Sequence, residues 1–111
     1  MTPVLSRELA LEARRVEPDG MGGYSESWVC LGTLWAQVVA GSGRDVPGEE
    51  ITLSSVPYRV IVRSAPVGAE GRPRPDQRFR EGARYYRIIA VAERDHAGRY
   101  LTCFAREEVP A

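Results

Sequence analysis

Asp19-Gly20-Met21-Gly22-Gly23 places three glycines in four residues between two runs that read as β-strands. Glycine reaches positive φ at little steric cost, so the chain can reverse or bulge here. The run that follows, Ser27 to Val39, is too apolar on both sides for an ordinary surface strand. A long hairpin with a buried second strand, in a chain of 111 residues, points to a small β-barrel. Such a chain is sized for one domain and can bury roughly two thirds of its unfolded surface.

The remaining strands follow from alternation and from their breakers. Leu9 and Leu11 alternate with polar or small neighbours, giving a half-buried first strand from about Arg7 to Val16. Pro18-Asp19-Gly20 ends it, and Glu26 to Val39 forms the second strand, with Gly32 marking a bulge or bend. Tyr58 to Arg63 is a third strand, stopped by Pro66 and Gly68. Gln77 to Arg80 is a brief strand before a Glu81-Gly82 turn. Tyr85 to Ala92 and Arg99 to Glu107 are two more, joined by Asp95-His96-Ala97-Gly98. The expected fold is mainly all-β: a six-stranded barrel or sandwich with long projecting loops and at most one short helix. Leu9, Leu11, Trp35, Val38, Val60, Val62, Ile88, Val91, Leu101 and Cys103 form its expected core.

Two segments resist this reading. Residues 41–56 carry Gly41, Gly43, Pro47 and Gly48, and long loops in compact domains are generally functional or disordered. Glu50 to Val56 alternates as a short strand would, whereas Asp45 ahead of Pro47 could cap one helical turn. Either way the segment is expected to project as an arm. The Arg/Pro-rich stretch at about 68–80, with Gly71-Arg72-Pro73-Arg74-Pro75 at its centre, is expected as an extended loop or arm.

Every basic residue is Arg; Lys and Asn are absent, as a GC-rich genome would produce. The charge is neutral in total but uneven in place. Residues 1–50 hold four Arg against eight acids, and residues 72–87 hold six Arg against Asp76 and Glu81. Such a chain can associate head to tail, acidic patch to basic patch, or can simply carry both charges on solvated faces.

Chemistry has little to stand on. The one histidine, His96, lies in a turn beside Asp95, and adjacent side chains usually point apart. Cys30 and Cys103 both fall in predicted strands and read as buried free thiols. No Cys/His spacing suits a metal, so no cofactor or metal is expected. The Gly20–Gly23 stretch lacks the Lys and the following helix of a phosphate loop. Arg72 to Arg87, interleaved with Phe79, Tyr85 and Tyr86, is the single feature suited to a nucleic-acid-binding barrel. Trp28 and Trp35, seven residues apart, should face opposite sides of a regular strand, with one of them in the core and the other either core across a bulge or an exposed anchor. No run approaches a membrane span and the amino terminus lacks a secretory pattern, so a soluble protein made in the cytosol is expected.

The order of these parts resembles a family. It runs from the first strand through the Asp-Gly-x-Gly-Gly turn to a Trp strand ending in Trp35-Ala36-Gln37-Val38. A glycine-containing loop and Tyr58-Arg59-Val60-Ile61-Val62-Arg63 come next. Gly82-x-x-Tyr85-Tyr86-x-Ile88 and Tyr100-Leu101-Thr102-Cys103 complete it. Over about residues 5–108 the pattern is similar to the head–tail joining, or head-closure (stopper), proteins of tailed bacteriophages and phage-like gene transfer agents. The resemblance implies a non-enzymatic β-barrel in the particle neck. There it would form a ring, a hexamer in the particle and a monomer in isolation, between a portal-bound adaptor and a tail terminator or tail tube protein. It also implies closure of the DNA-filled head, loops able to meet packaged double-stranded DNA, and no membrane partner. On this reading Arg44, Asp45, Glu49 and Glu50 in the first arm, and Arg72, Arg74 and Arg78 in the second, contact neighbours. A tail terminator, a tail-completion protein, or a nucleic-acid-binding barrel are the alternatives.

Overall fold

The computed structural model describes residues 2–41 and 55–108, and within them every element is a strand. In chain order these are β1 (Arg7–Pro18), β2 (Tyr24–Ala40), β3 (Ser55–Arg63), β4 (Arg78–Glu81), β5 (Arg84–Glu93) and β6 (Tyr100–Glu108). They close into a barrel in the order β1-β2-β3-β6-β5-β4, all neighbours antiparallel. Closure removes the open edges that a flat sheet of this size would expose.

Alternation decides which residues meet inside. Leu9 and Leu11 of β1, Val60 and Val62 of β3, Phe79 of β4, Tyr86 and Ile88 of β5, and Leu101, Cys103 and Ala105 of β6 are buried together with Ala36. Val38 and Val91 pack against this core while remaining partly exposed. Tyr86 and Phe79 are its largest fully buried side chains, so they make the largest individual contributions to its buried apolar area.

Two bulges bend the wall. On β2 the register passes from Gly32 opposite Leu11 to Cys30 opposite Glu12, so Leu31 is the extra residue. Gly32 takes φ 149°, a conformation that disfavours other residues, which is why the bulge sits there. On β5 the register slips between Ile88 and Ala90, leaving Ile89 unpaired. Each bulge reverses the inside–outside sequence beyond it. Leu34 and Leu31 can therefore both reach the core, as can Ile88 and Val91.

The β2 bulge corrects the expectation for the tryptophans. Trp35 lies opposite Glu8 and Trp28 opposite Arg14, so both rings point out of the barrel. Trp35 is 56% exposed instead of forming core. The same reversal turns Cys30 outward, where it is exposed; only Cys103 is the buried thiol.

The hairpin is longer than the barrel needs. β4 pairs with β1 only at Ala10 to Glu12, and β3 pairs with β2 only at Ala36 to Ala40. Residues 13–29 therefore form a two-stranded ribbon that, among the described residues, pairs only with itself. Its tip is built by Asp19. The Asp19 carboxylate accepts hydrogen bonds from the backbone N–H of Met21 (2.8 Å) and Gly23 (3.1 Å), with Gly20 and Gly22 at positive φ.

Residues 64–77 cross the barrel end next to the ribbon. The Arg/Pro tract within them is anchored, not free. Pro73 is fully buried, and Arg72 Nη1 donates to the Ala65 carbonyl at 2.7 Å. Asp76 N–H donates to Ile88 O, and Ile88 N–H to Gln77 O, pinning the segment to β5 beside its bulge. The sequence-expected arm at 41–56 falls almost wholly outside the described residues.

Candidate functional site

The outer wall over β1, β4 and β5 is where charge concentrates. β1 supplies Glu12, which alternates outward from Leu11. β4 supplies Arg78 and Arg80 on either side of buried Phe79, and β5 supplies Tyr85 and Arg87 on either side of buried Tyr86. Glu12 lies beneath this layer with only 8% of its side chain exposed, and accepts from Arg78 Nε (2.7 Å) and Arg80 Nε (2.9 Å). Burial alone would raise its pKa. The two guanidinium hydrogen bonds outweigh burial and hold the carboxyl below its ordinary range. The Arg78 guanidinium stacks over Trp28 (4.1 Å) and Tyr85 (4.2 Å), and Arg87 lies 5.2 Å from the Trp28 ring. Arg87 also approaches Asp76 at 3.9 Å and Glu108 at 3.8 Å.

A second cluster closes the opposite end, where β1, β3 and β5 begin and β4 and β6 finish. Arg7 Nε donates to Glu81 Oε2 at 3.0 Å, and Arg7 Nη2 pairs with Glu81 Oε1 and reaches the Tyr86 hydroxyl at 3.3 Å. Arg84 grips Glu107 through Nε (2.7 Å) and Nη2 (3.2 Å) and also donates to the Tyr58 hydroxyl. Tyr58 and Tyr86 meet edge to face at 5.1 Å. Hydrogen bonds from Arg7 and Arg84 lower the pKa of Glu81 and Glu107, and those partners raise Arg7 and Arg84 in return. Burial raises Tyr86, and the Arg7 hydrogen bond opposes it.

These contacts account for part of the uneven charge. The acidic first half and the basic tract meet within one molecule, through Glu12 with Arg78 and Arg80. The residues expected to reach neighbours therefore divide. Arg78 is a wall residue committed to Glu12, Trp28 and Tyr85, and Arg72 is half-buried against Ala65. Arg74 is exposed, its backbone N–H donating to Gln77 Oε1. Arg44, Asp45, Glu49 and Glu50 lie outside the described residues. The structure thus does not gather Arg72, Arg74 and Arg78 into one free patch.

The arrangement is suited to holding shape. Among the described residues no group of three His, Cys, Asp or Glu could hold a metal. Asp95 spends its carboxylate on the backbone N–H of Arg99 and Tyr100, and neighbouring His96 is exposed. Burial pushes the Cys103 thiol up to about 12, so it is not a ready nucleophile. Trp28 and Tyr85, which could stack on bases, already face guanidinium groups of this chain.

Exposed apolar side chains are the feature sequence reasoning missed. Val16, Met21 and Tyr24 stand on the ribbon, Trp35 on the outer wall, Val4 in the segment before β1 and Val67 in the 64–77 segment. The signal available was the length of the hairpin: β2 runs 17 residues against nine for β3.

A family model for the phage head completion protein matches residues 1–108. A chain from a solved structure, the virion of a native gene transfer agent (GTA) particle, is 58% identical. It covers 99% of this chain and 100% of that chain with a TM-score of 0.81. Protein SF1141 from Shigella flexneri 2a, in its solution structure, is 22% identical over 96% of both chains with a TM-score of 0.69, which shows a shared fold. None of the curated proteins compared with it matches.

Proposed function

This chain belongs to the phage head completion protein family, and on that premise we propose that it acts as the stopper that closes a filled head and receives the tail. It is a structural component of the head–tail neck of a phage-like particle. The observation that carries the reading is the end-to-end match, at 58% identity, to a chain of a gene transfer agent virion.

The physical features fit a load-bearing part. A closed barrel with ion pairs across its seam keeps its outline when neighbours press on it. Segments outside that seam are then available for gripping. In this reading copies form a ring, with the portal-bound adaptor on one side and a tail terminator or tail tube protein on the other. Residues 42–50, with Arg44, Asp45, Glu49 and Glu50, contact those neighbours, and Arg74 does so from the 64–77 segment. Loops nearest the channel meet the end of the packaged DNA. The role needs no catalysis.

Deleting residues 42–50 should leave the purified barrel folded, by circular dichroism, while filled heads and tails fail to join. Joined particles at the normal yield would refute a gripping role for that segment. Arg74→Glu should reduce joining in a salt-sensitive manner, because Arg74 has no part in the Glu12 seam.

A further inference from the structure

One face of the ribbon of residues 13–29 carries Val16, Pro18 and Tyr24 toward its tip, with the Arg14–Glu26 ion pair (3.5 Å) between them and Trp28. Residues paired across β1 and β2 share a face, so Val16 with Glu26 and Pro18 with Tyr24 continue outward from Trp28 and Arg14. The Met21 tip is 90% exposed, Tyr24 74% and Val16 45%. A two-stranded ribbon alone is marginally stable in water. An apolar patch left open at the tip of one, Val16, Met21 and Tyr24, argues for a surface that covers it.

A fitting surface exists on this same chain. Thr2, Pro3, Leu5, Trp35, Arg63 and Tyr100 line a cleft of about 340 Å³ on the outer wall. The amino-terminal segment that forms one side is held there by Val4 N–H donating to Gln37 Oε1 at 3.1 Å. Exposed Trp35 provides an aromatic rim, and Arg63 lies 6.0 Å from the Tyr100 ring. The ribbon brings exposed Asp19 to its tip beside Met21, which complements Arg63 in charge. The two surfaces cannot meet within one molecule. Tyr24 and Trp35 lie on one strand, eleven residues apart, which at strand rise separates them by roughly 35 Å.

We infer that the ribbon tip, Val16, Met21 and Tyr24, docks into the Pro3–Leu5–Trp35–Tyr100 cleft of a neighbouring copy. Two different patches on opposite ends of one chain make a heterologous contact, which propagates and closes into a ring when the rotation allows. Trp and Tyr at its centre are the residue types that dominate binding energy at such contacts. The inference rests on the ring reading above and names the surfaces that build it.

The test is cross-linking between copies in assembled particles. In a Cys30→Ser background, Met21→Cys and Thr2→Cys are combined and treated with a short bis-maleimide. Both positions are exposed, so folding is preserved. The double variant should give a ladder of covalent multimers of this chain, and either single variant should give none beyond a dimer. Adding Tyr24→Asp should remove the ladder. Imaging the same particles separates the two ideas. A ring at the neck without a ladder overturns the ribbon–cleft contact alone. Particles without a ring overturn the ring reading as well.

Discussion

Replacing Glu12 with Gln should weaken the barrel far more than a surface substitution would. Glu12 is the buried carboxylate joining β1 to β4, the seam that closes the ring of strands, and the more exposed Arg7–Glu81 pair crosses the same seam at its other end. A hydrogen bond to a charged group contributes about 1.5–3 kcal/mol, and Arg78, 17% exposed, makes one of 2.7 Å to Glu12. Solvent at the Arg80 limb, 41% exposed, screens that contact, so it is left out of the sum. The variant is therefore expected to lose about 2 kcal/mol at pH 7, or about 10 °C in Tm for a domain of this size. Thermal unfolding followed by tryptophan fluorescence is the assay, since Trp28 stacks on the Arg78 that Glu12 holds. The folded-state pKa of Glu12 is depressed. Its stabilisation is thus present above the unfolded carboxyl value of about 4.3 and is lost as pH falls through the folded value. The gap between wild type and variant should close toward low pH. A Tm change under about 2 °C at neutral pH, or a gap that persists in acid, would refute the seam argument.

Three further outcomes follow from local geometry. The exposed Cys30 should alkylate readily at pH 8 in the native protein while buried Cys103 does not, so mass spectrometry should find one adduct before unfolding and two after. Gly22→Val places a β-branched residue at φ 84° and should cost about 1–2 kcal/mol. The loss should be confined to the ribbon, seen as faster amide exchange in residues 13–29 with the core unchanged. Tyr86→Phe removes the hydroxyl that Arg7 reaches at 3.3 Å and should lower stability by less than about 1 kcal/mol, because Glu81 still holds Arg7.

Much of the fold was legible because strand alternation and its breakers are local. The Asp19 turn, the bulge at Gly32 and the burial of one of Tyr85 and Tyr86 could all be read from neighbours in sequence. What escaped depends on distant partners. Glu12 resembles any solvated strand acid until Arg78 and Arg80, more than sixty residues away, are laid over it. The inside–outside assignment of Trp28, Trp35 and Cys30 failed because a bulge reverses every position beyond it. The second bulge, at Ile88 to Ala90, has no glycine to announce it. The ribbon was hidden because hairpin length shows in sequence, whereas how little of β2 finds β3 does not. Arg78 reads as a free charge for the same reason: its partner Glu12 is set by closure of the barrel.

Density for the neck of intact particles carrying this chain tests the central claim most directly. The account predicts copies of the six-stranded barrel ringed between head and tail, each ribbon reaching toward its neighbour. Particles whose necks lack this barrel, or that hold it elsewhere in the head shell or along the tail, would contradict it.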